Sequence, residues 1–272
     1  MKRLTSGNYY SAEANAKYMS VSQFKAFKKC PAKAMAEIKG EWNPGKSEAL
    51  LLGSYVDERL TGTKASFSKF VDEHWDEIYT KKGELRADFA KAEDTVMWIL
   101  DKQPLMRKYL GGRHQKIMTG EIAGVPFKIR MDSYKKGQFI ADLKYMKSLR
   151  APNLFNNLIE YWGYDIQAAV YREIVKQNTG EDLPFYFVIA TKETPAHVEV
   201  CSISPEKMDE VLEEVKRLAP IFQKIKNGEI PPERCNEYDC DYCTTTKVIT
   251  EPIDYELLAM STKQIKAMRG DI

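Results

Sequence analysis

The chain has 272 residues, with 41 Lys and Arg against 39 Asp and Glu, a formal net charge of +2. That is one large domain or two small ones at roughly 100–200 residues each, and the 43% apolar content supports a sizeable core and excludes disordered and collagen-like classes. The longest apolar run, residues 185–190, is far short of the ~20 residues of a spanning helix, and Met1-Lys2-Arg3 leads into no apolar stretch, so we expect a cytoplasmic protein off the membrane.

Ser20 reads as the N-cap of a helix running to residue 36, and residues 53–60 lie in the middle of a second helix. Helical pattern dominates again over residues 67–109. The period then shortens to two over residues 125–132, which marks a half-buried strand. Residues 134–138 read as a turn and 139–144 as the next strand. From 153 to 178 the 3.6-residue period returns, with Phe155, Leu158, Ile166, Val170 and Ile174 on the core side. Strands over 184–192 and 197–203 and a helix over 205–227 follow. After Pro231-Pro232 a cysteine-rich segment begins, so residues 1–230 read as the main domain and 231–272 as a tail packed on it. Helices, a strand meander, then helix, strand, strand, helix make an α/β fold.

Charge is uneven along the chain. Residues 102–150 hold twelve Lys and Arg but three acids, Glu121, Asp132 and Asp142, so the segment is +9 and the remainder −7. Such a segment fits a polyanion-binding face, and equally a solvated basic surface. Alternation puts Lys128, Arg130 and Asp132 on one face of the first strand, and Asp142 and Lys144 on one face of the next. A tight turn at Lys136-Gly137 sets Asp132 opposite Ala141, one position from Asp142. Carboxylates that close repel, raising the pKa of one unless a cation lies between them. A hard divalent metal is the natural occupant, and Lys144 on the same face can orient or deprotonate a water.

Asp132, with Asp142-Leu143-Lys144 ten residues on, resembles the PD-(D/E)XK nuclease signature. Gly53-x-x-x-Asp57 resembles the G-x-x-x-(H/E) helix motif of the RecB-type and phage exonuclease branches, with Asp where relatives carry His or Glu and Glu58 as the adjacent alternative. Gln167-x-x-x-Tyr171 resembles the Q-x-x-x-Y motif that follows the catalytic hairpin. The pieces stand in the family's order. Resemblance to the phage and prophage RecE-like (exodeoxyribonuclease-eight-like) exonucleases runs from Ser20-Val21-Ser22-Gln23-Phe24 through residues 120–125 to the cysteines.

The resemblance implies a mixed central sheet flanked by helices. It makes Asp57, Asp132, Asp142 and the Leu143 carbonyl ligands of Mg²⁺ or Mn²⁺, and Lys144 the catalytic lysine. Gln167 and Tyr171 then place the lysine and the scissile strand. It further implies metal-dependent 5′ to 3′ hydrolysis of linear double-stranded DNA ends, a RecT-like single-strand annealing partner and a homo-oligomer. Lys128, Arg130, Lys135, Lys136, Lys147 and Arg150 are the expected phosphate contacts, which makes binding salt-dependent and blind to sequence. One rival is an iron–sulfur exonuclease of single strands, of the CRISPR-adaptation type. Another is an inactive DNA-binding module, against which the intact Asp132, Asp142 and Lys144 argue.

In a reducing compartment the five cysteines are metal ligands before they are disulfides. Cys235, Cys240 and Cys243 fall within nine residues. The phrase Phe27-Lys28-Lys29-Cys30-Pro31 resembles the N-terminal cysteine motif of AddB-type and CRISPR-adaptation nucleases. There, one early and three late cysteines hold a [4Fe–4S] cluster, although the late spacing here departs from theirs. A four-thiolate zinc site is the alternative, as is no metal. Cys201 reads as a small core residue.

Overall fold

Ser20 opens a helix as expected, its Oγ accepting from the Gln23 N–H at 3.2 Å, but that helix stops at Lys29. Pro31 has no N–H to donate and disfavours helical backbone at the residue before it. Cys30 is therefore extended (φ −154°, ψ 100°), and a separate helix starts at Pro31.

The computed structural model describes residues 4–43, 45, 47–150 and 157–270. Its helices up to the first strand are α1 (Ala12–Lys17), α2 (Val21–Lys29), α3 (Pro31–Lys39), α4 (Glu48–Thr61), α5 (Lys64–Glu73), α6 (Trp75–Ile78), α7 (Ala87–Lys102) and α8 (Pro104–Leu110). Strands β1 (Lys116–Ile122), β2 (Val125–Met131), β3 (Ser133–Lys135) and β4 (Phe139–Met146) follow. Then come α9 (Leu158–Tyr161), α10 (Tyr164–Thr179), β5 (Phe185–Thr191), β6 (Val198–Ile203), α11 (Pro205–Lys226), α12 (Asp241–Thr245) and α13 (Thr262–Arg269). No helix among the described residues is long and apolar enough to cross a membrane.

The chain divides into two compact units. One comprises Met1–Pro44, Glu121–Phe127 and Lys216–Ile272. The expected boundary at 230 is not where they part, because the cysteine-rich tail shares a unit with the N-terminal helices. Phe222 of α11 packs against Phe24 and Phe27 of α2, with centroids 5.2 and 5.6 Å apart, and the Lys226 ammonium donates to the Tyr18 carbonyl.

The other unit, Gly45–Gly120 with Lys128–Val215, carries the four-stranded sheet β3-β4-β5-β6. The outer pairs are antiparallel and β4–β5 is parallel. A parallel pair is covered on its faces, and β4 is accordingly apolar and buried from Phe139 to Ala141. Leu52, Tyr55 and Val56 of α4 and Phe89, Val96 and Ile99 of α7 join Leu143, Val188 and Ala190 in one core.

The structure departs from the sequence expectation in four further ways. β2 ends at Met131 and the short β3 takes over, with Ser133 rather than Asp132 opposite Ala141. The turn spans three residues, Lys136 to Gln138, with Gly137 at φ 70°, instead of two. Extending that register by one step brings Asp132 level with Asp142. The helical stretch 67–109 is four helices, the last opened by Pro104. The helix expected over 153–178 is divided into α9 and, after Gly163 at φ 60°, α10; Phe155 lies outside the described residues.

Candidate active site

Helices α4 and α10, strand β4 and the β2–β3 break of the second unit bring polar side chains together. Asp142 and Lys144 are two apart on β4 and so share a face. The Lys144 ammonium stands 2.5 Å from Asp142 Oδ2. That approach is an ion pair without hydrogen-bond angles, so buried Oδ2 has no aligned donor. Gln167 on α10 bridges the two: its Nε2 donates to Asp142 Oδ1 at 2.6 Å, and its Oε1 accepts from Lys144 Nζ at 2.8 Å. Asp132, at the break between β2 and β3, accepts the Leu143 N–H on Oδ2 at 3.0 Å. Asp57 on α4 accepts from Thr61 Oγ1 at 2.9 Å and from Gln115 Nε2 at 3.0 Å. Glu58 instead accepts from Ser66 Oγ at 2.7 Å, and it is Asp57 whose charge acts on Asp132.

The electrostatics follow from three carboxyl groups in one place. Burial, then the charges of Asp142 and Asp57, push the Asp132 carboxyl well above the usual carboxylate range. Asp57 is pushed up to about 6, by burial first and then by Asp142 and Glu58, against the Thr61 hydroxyl and the Arg130 charge. For Lys144 burial favours the neutral amine, but Asp142 and Asp132 outweigh it and hold the ammonium above its ordinary value. Oxygen donors that repel one another this way, one lacking an aligned donor, suit a hard cation.

Tyr171 is buried rather than turned to the outer helix surface, and its hydroxyl donates to the Arg130 carbonyl at 3.1 Å, tying α10 to β2. The Tyr164 ring lies 4.4 Å from Lys144 Nζ. Thr61, Gln115 and His114, whose Nδ1 sits 3.0 Å from the Asp132 carbonyl, are neighbours that the sequence expectation lacks. Thr61 had a readable signal, being one helical turn from Asp57. Gln115, at φ 51° in a loop, had none.

Of the expected phosphate contacts, Lys135, Lys136, Lys147 and Arg150 are exposed and Arg130 is half-buried. Lys128 is a correction: it is 1% exposed, and burial pulls its pKa down to about 8. Phe127, Lys128 and Ile129 are all enclosed, so alternation assigned Lys128 to a face that is not open to a phosphate there.

In the first unit, Cys30 at the α2–α3 junction meets Cys235, Cys240 and Cys243, all four sulfurs lying within 4.8 Å of one another. The break forced by Pro31 exposes the Cys30 backbone to the tail, and α12 sets Cys243 one turn past Cys240. All are free thiols, three of them buried, and the cluster can hold a metal. Cys201 is half-buried in β6.

Residues 20–246 match the family described as a PDDEXK-like domain of unknown function (DUF3799). Over the full length of both chains the protein is 40% identical to a solved structure from Eubacterium rectale named "Putative exonuclease", with a TM-score of 0.85. The structure of SSO0001 covers 75% of this chain and 96% of its own, at 13% identity and a TM-score of 0.31, too slight to argue from. No curated protein matches. A match over most of the chain, with Asp132, Asp142 and Lys144 gathered on a mixed sheet flanked by helices, places this protein in the PDDEXK-like domain family.

Proposed function

We propose that the protein is a divalent-cation-dependent DNA nuclease that degrades linear double strands from their ends, 5′ to 3′. The observation that carries this reading is the trio Asp57, Asp132 and Asp142, with Lys144 paired to Asp142 beside it. The name of the 40% identical relative supports an exonuclease over an endonuclease. Mg²⁺ or Mn²⁺ fits the donor set of the three carboxylates and the Leu143 carbonyl. When bound, the cation supplies Lewis acidity at the phosphoryl oxygen and a lowered pKa for its water.

The chain's own groups supply the rest. Lys144 presents its ammonium protons to the attacking water or the developing charge, and Gln167 holds both Lys144 and Asp142 in place. Tyr171 fixes the β2 backbone at Arg130. Lys135, Lys136, Lys147 and Arg150 take backbone phosphates without reading bases. The 3′ overhang left behind suits a RecT-like annealing partner, and a homo-oligomer around the DNA would hold the enzyme on its track.

End-labelled linear and circular duplexes, incubated with and without Mg²⁺, test the reading. Linear duplex should be lost from its 5′ ends only with Mg²⁺, while circles survive. Preference for single strands would transfer the assignment to the single-strand type, and undiminished cleavage by Lys144→Ala would overturn the site.

A further inference from the structure

We propose that Cys30, Cys235, Cys240 and Cys243 hold a single zinc(II) ion rather than an iron–sulfur cluster. The sulfur spacing decides. Around one ion at the zinc–thiolate bond length of ~2.3 Å, the corners of the tetrahedron lie ~3.8 Å apart. Here the Cys30 and Cys235 sulfurs each stand 3.7 Å from that of Cys243, and all four lie within 4.8 Å of one another. In a [4Fe–4S] cube each thiolate binds its own iron at a separate corner. The four cysteine sulfurs then lie outside the cube, spread farther than those around one ion. Four sulfurs gathered within 4.8 Å leave no room for it. A separation of 3.7 Å is equally far from the ~2.05 Å of a disulfide bond.

The surroundings suit a closed ion site. Four thiolates around one divalent cation leave two negative charges in excess, which need donors when three of the cysteines are buried. The neighbouring backbone amides of Lys33, Cys235, Asn236 and Glu237 act on the sulfurs in favour of their charged form. Asn236 turns the chain there at φ 52°. The Arg234 guanidinium donates to the Cys243 carbonyl at 2.8 Å, and Lys33 pairs with Asp241 beside Cys240 at 2.5 Å. No fourth position is open to substrate, so the ion is structural. It joins the α2–α3 junction to the tail, where the Ala32 N–H also donates to the Glu233 carbonyl at 3.0 Å.

The full-length protein, expressed with iron and zinc both supplied and purified without oxygen, should be colourless and hold one zinc per chain, without iron or acid-labile sulfide. Cobalt(II) in place of zinc should give the intense visible bands of a tetrahedral tetrathiolate. Those bands should persist in Asp142→Asn, which removes a carboxylate ligand elsewhere, and in Cys201→Ser, and should be lost in Cys30→Ser. A brown protein with iron and sulfide in equal amounts would overturn the proposal. So would a metal-free wild-type protein with titratable thiols or disulfides. Should Cys30→Ser fail to fold, the wild-type metal content and cobalt spectrum decide alone.

Discussion

Gln167 serves two neighbours with one amide, and the two hydrogen bonds fix which end is oxygen: Oε1 faces an ammonium and Nε2 a carboxylate. Gln167→Glu adds a fourth carboxyl group there, so it should lower kcat more than it raises KM. On the proposed reading Lys144→Ala removes the group that handles the proton, and a loss of roughly 10²–10⁴-fold in rate is expected with an unchanged circular dichroism spectrum. Asp57 gives a pH prediction. Its pKa is raised from 3.8 to about 6, so between those values the folded metal-free protein keeps a proton that the unfolded chain has released. The resulting cost to stability is absent below about pH 4 and complete above about pH 6. Asp57→Asn should therefore stabilise the metal-free protein by up to about 3 kcal/mol at pH 8, and that gain should vanish toward pH 4 in urea titrations. The same gain at both pH values would mean that Asp57 does not bear the strain. Asp132, Asp142 and Lys144 were legible because strand alternation is a local rule. His114 and Gln115 were not, because their loop is placed by a bridge from Arg113 to Tyr134 far along the chain.

That bridge makes a test at the level of the element. Gly112 donates its N–H to Ser133 Oγ at 2.9 Å, and a Cβ there would fall 2.5 Å from that oxygen and 2.9 Å from Tyr134 backbone atoms. Backbone cannot yield as a side chain can. Gly112→Ala should lift the loop off β3, costing about 1–3 kcal/mol, and weaken the site by moving His114 from the Asp132 carbonyl. An unchanged Tm together with full activity would show that the close approach is relaxed at no cost. Element types were largely readable from period, but the turn was not. Lys136-Gly137 reads as a two-residue hairpin, while the chain uses three residues with Gly137 in the left-handed region. That single residue decides whether Asp132 stands level with Asp142 or one step away, which period alone cannot settle.

Across the whole molecule, the basic residues that remain exposed set the expected DNA response. Reversing Lys135, Lys136 and Lys147 to Glu should weaken binding to all duplexes alike and reduce the slope of log K against log salt by about 3, since each phosphate contact contributes about 0.9. Equal slopes for variant and parent would put these lysines outside the DNA path. The grouping of residues into units was the least legible feature. The packing of Phe24 and Phe27 on Phe222 joins residues almost two hundred apart, and no local pattern announces such a pair.

The same grouping orders events during synthesis. Cys30 leaves the ribosome about two hundred residues ahead of Cys235, an interval of roughly 10–40 s at ~5–20 residues per second. In that window its thiol has none of its three partners, and every carboxylate of the proposed site is made before the window closes. The early cysteine waits unpaired beside Lys28 and Lys29, open to oxidants and to stray metals. Completion of the thiol site therefore reports that translation has passed residue 243, and a chain truncated before it carries the carboxylates of the proposed site without the four-thiol cluster.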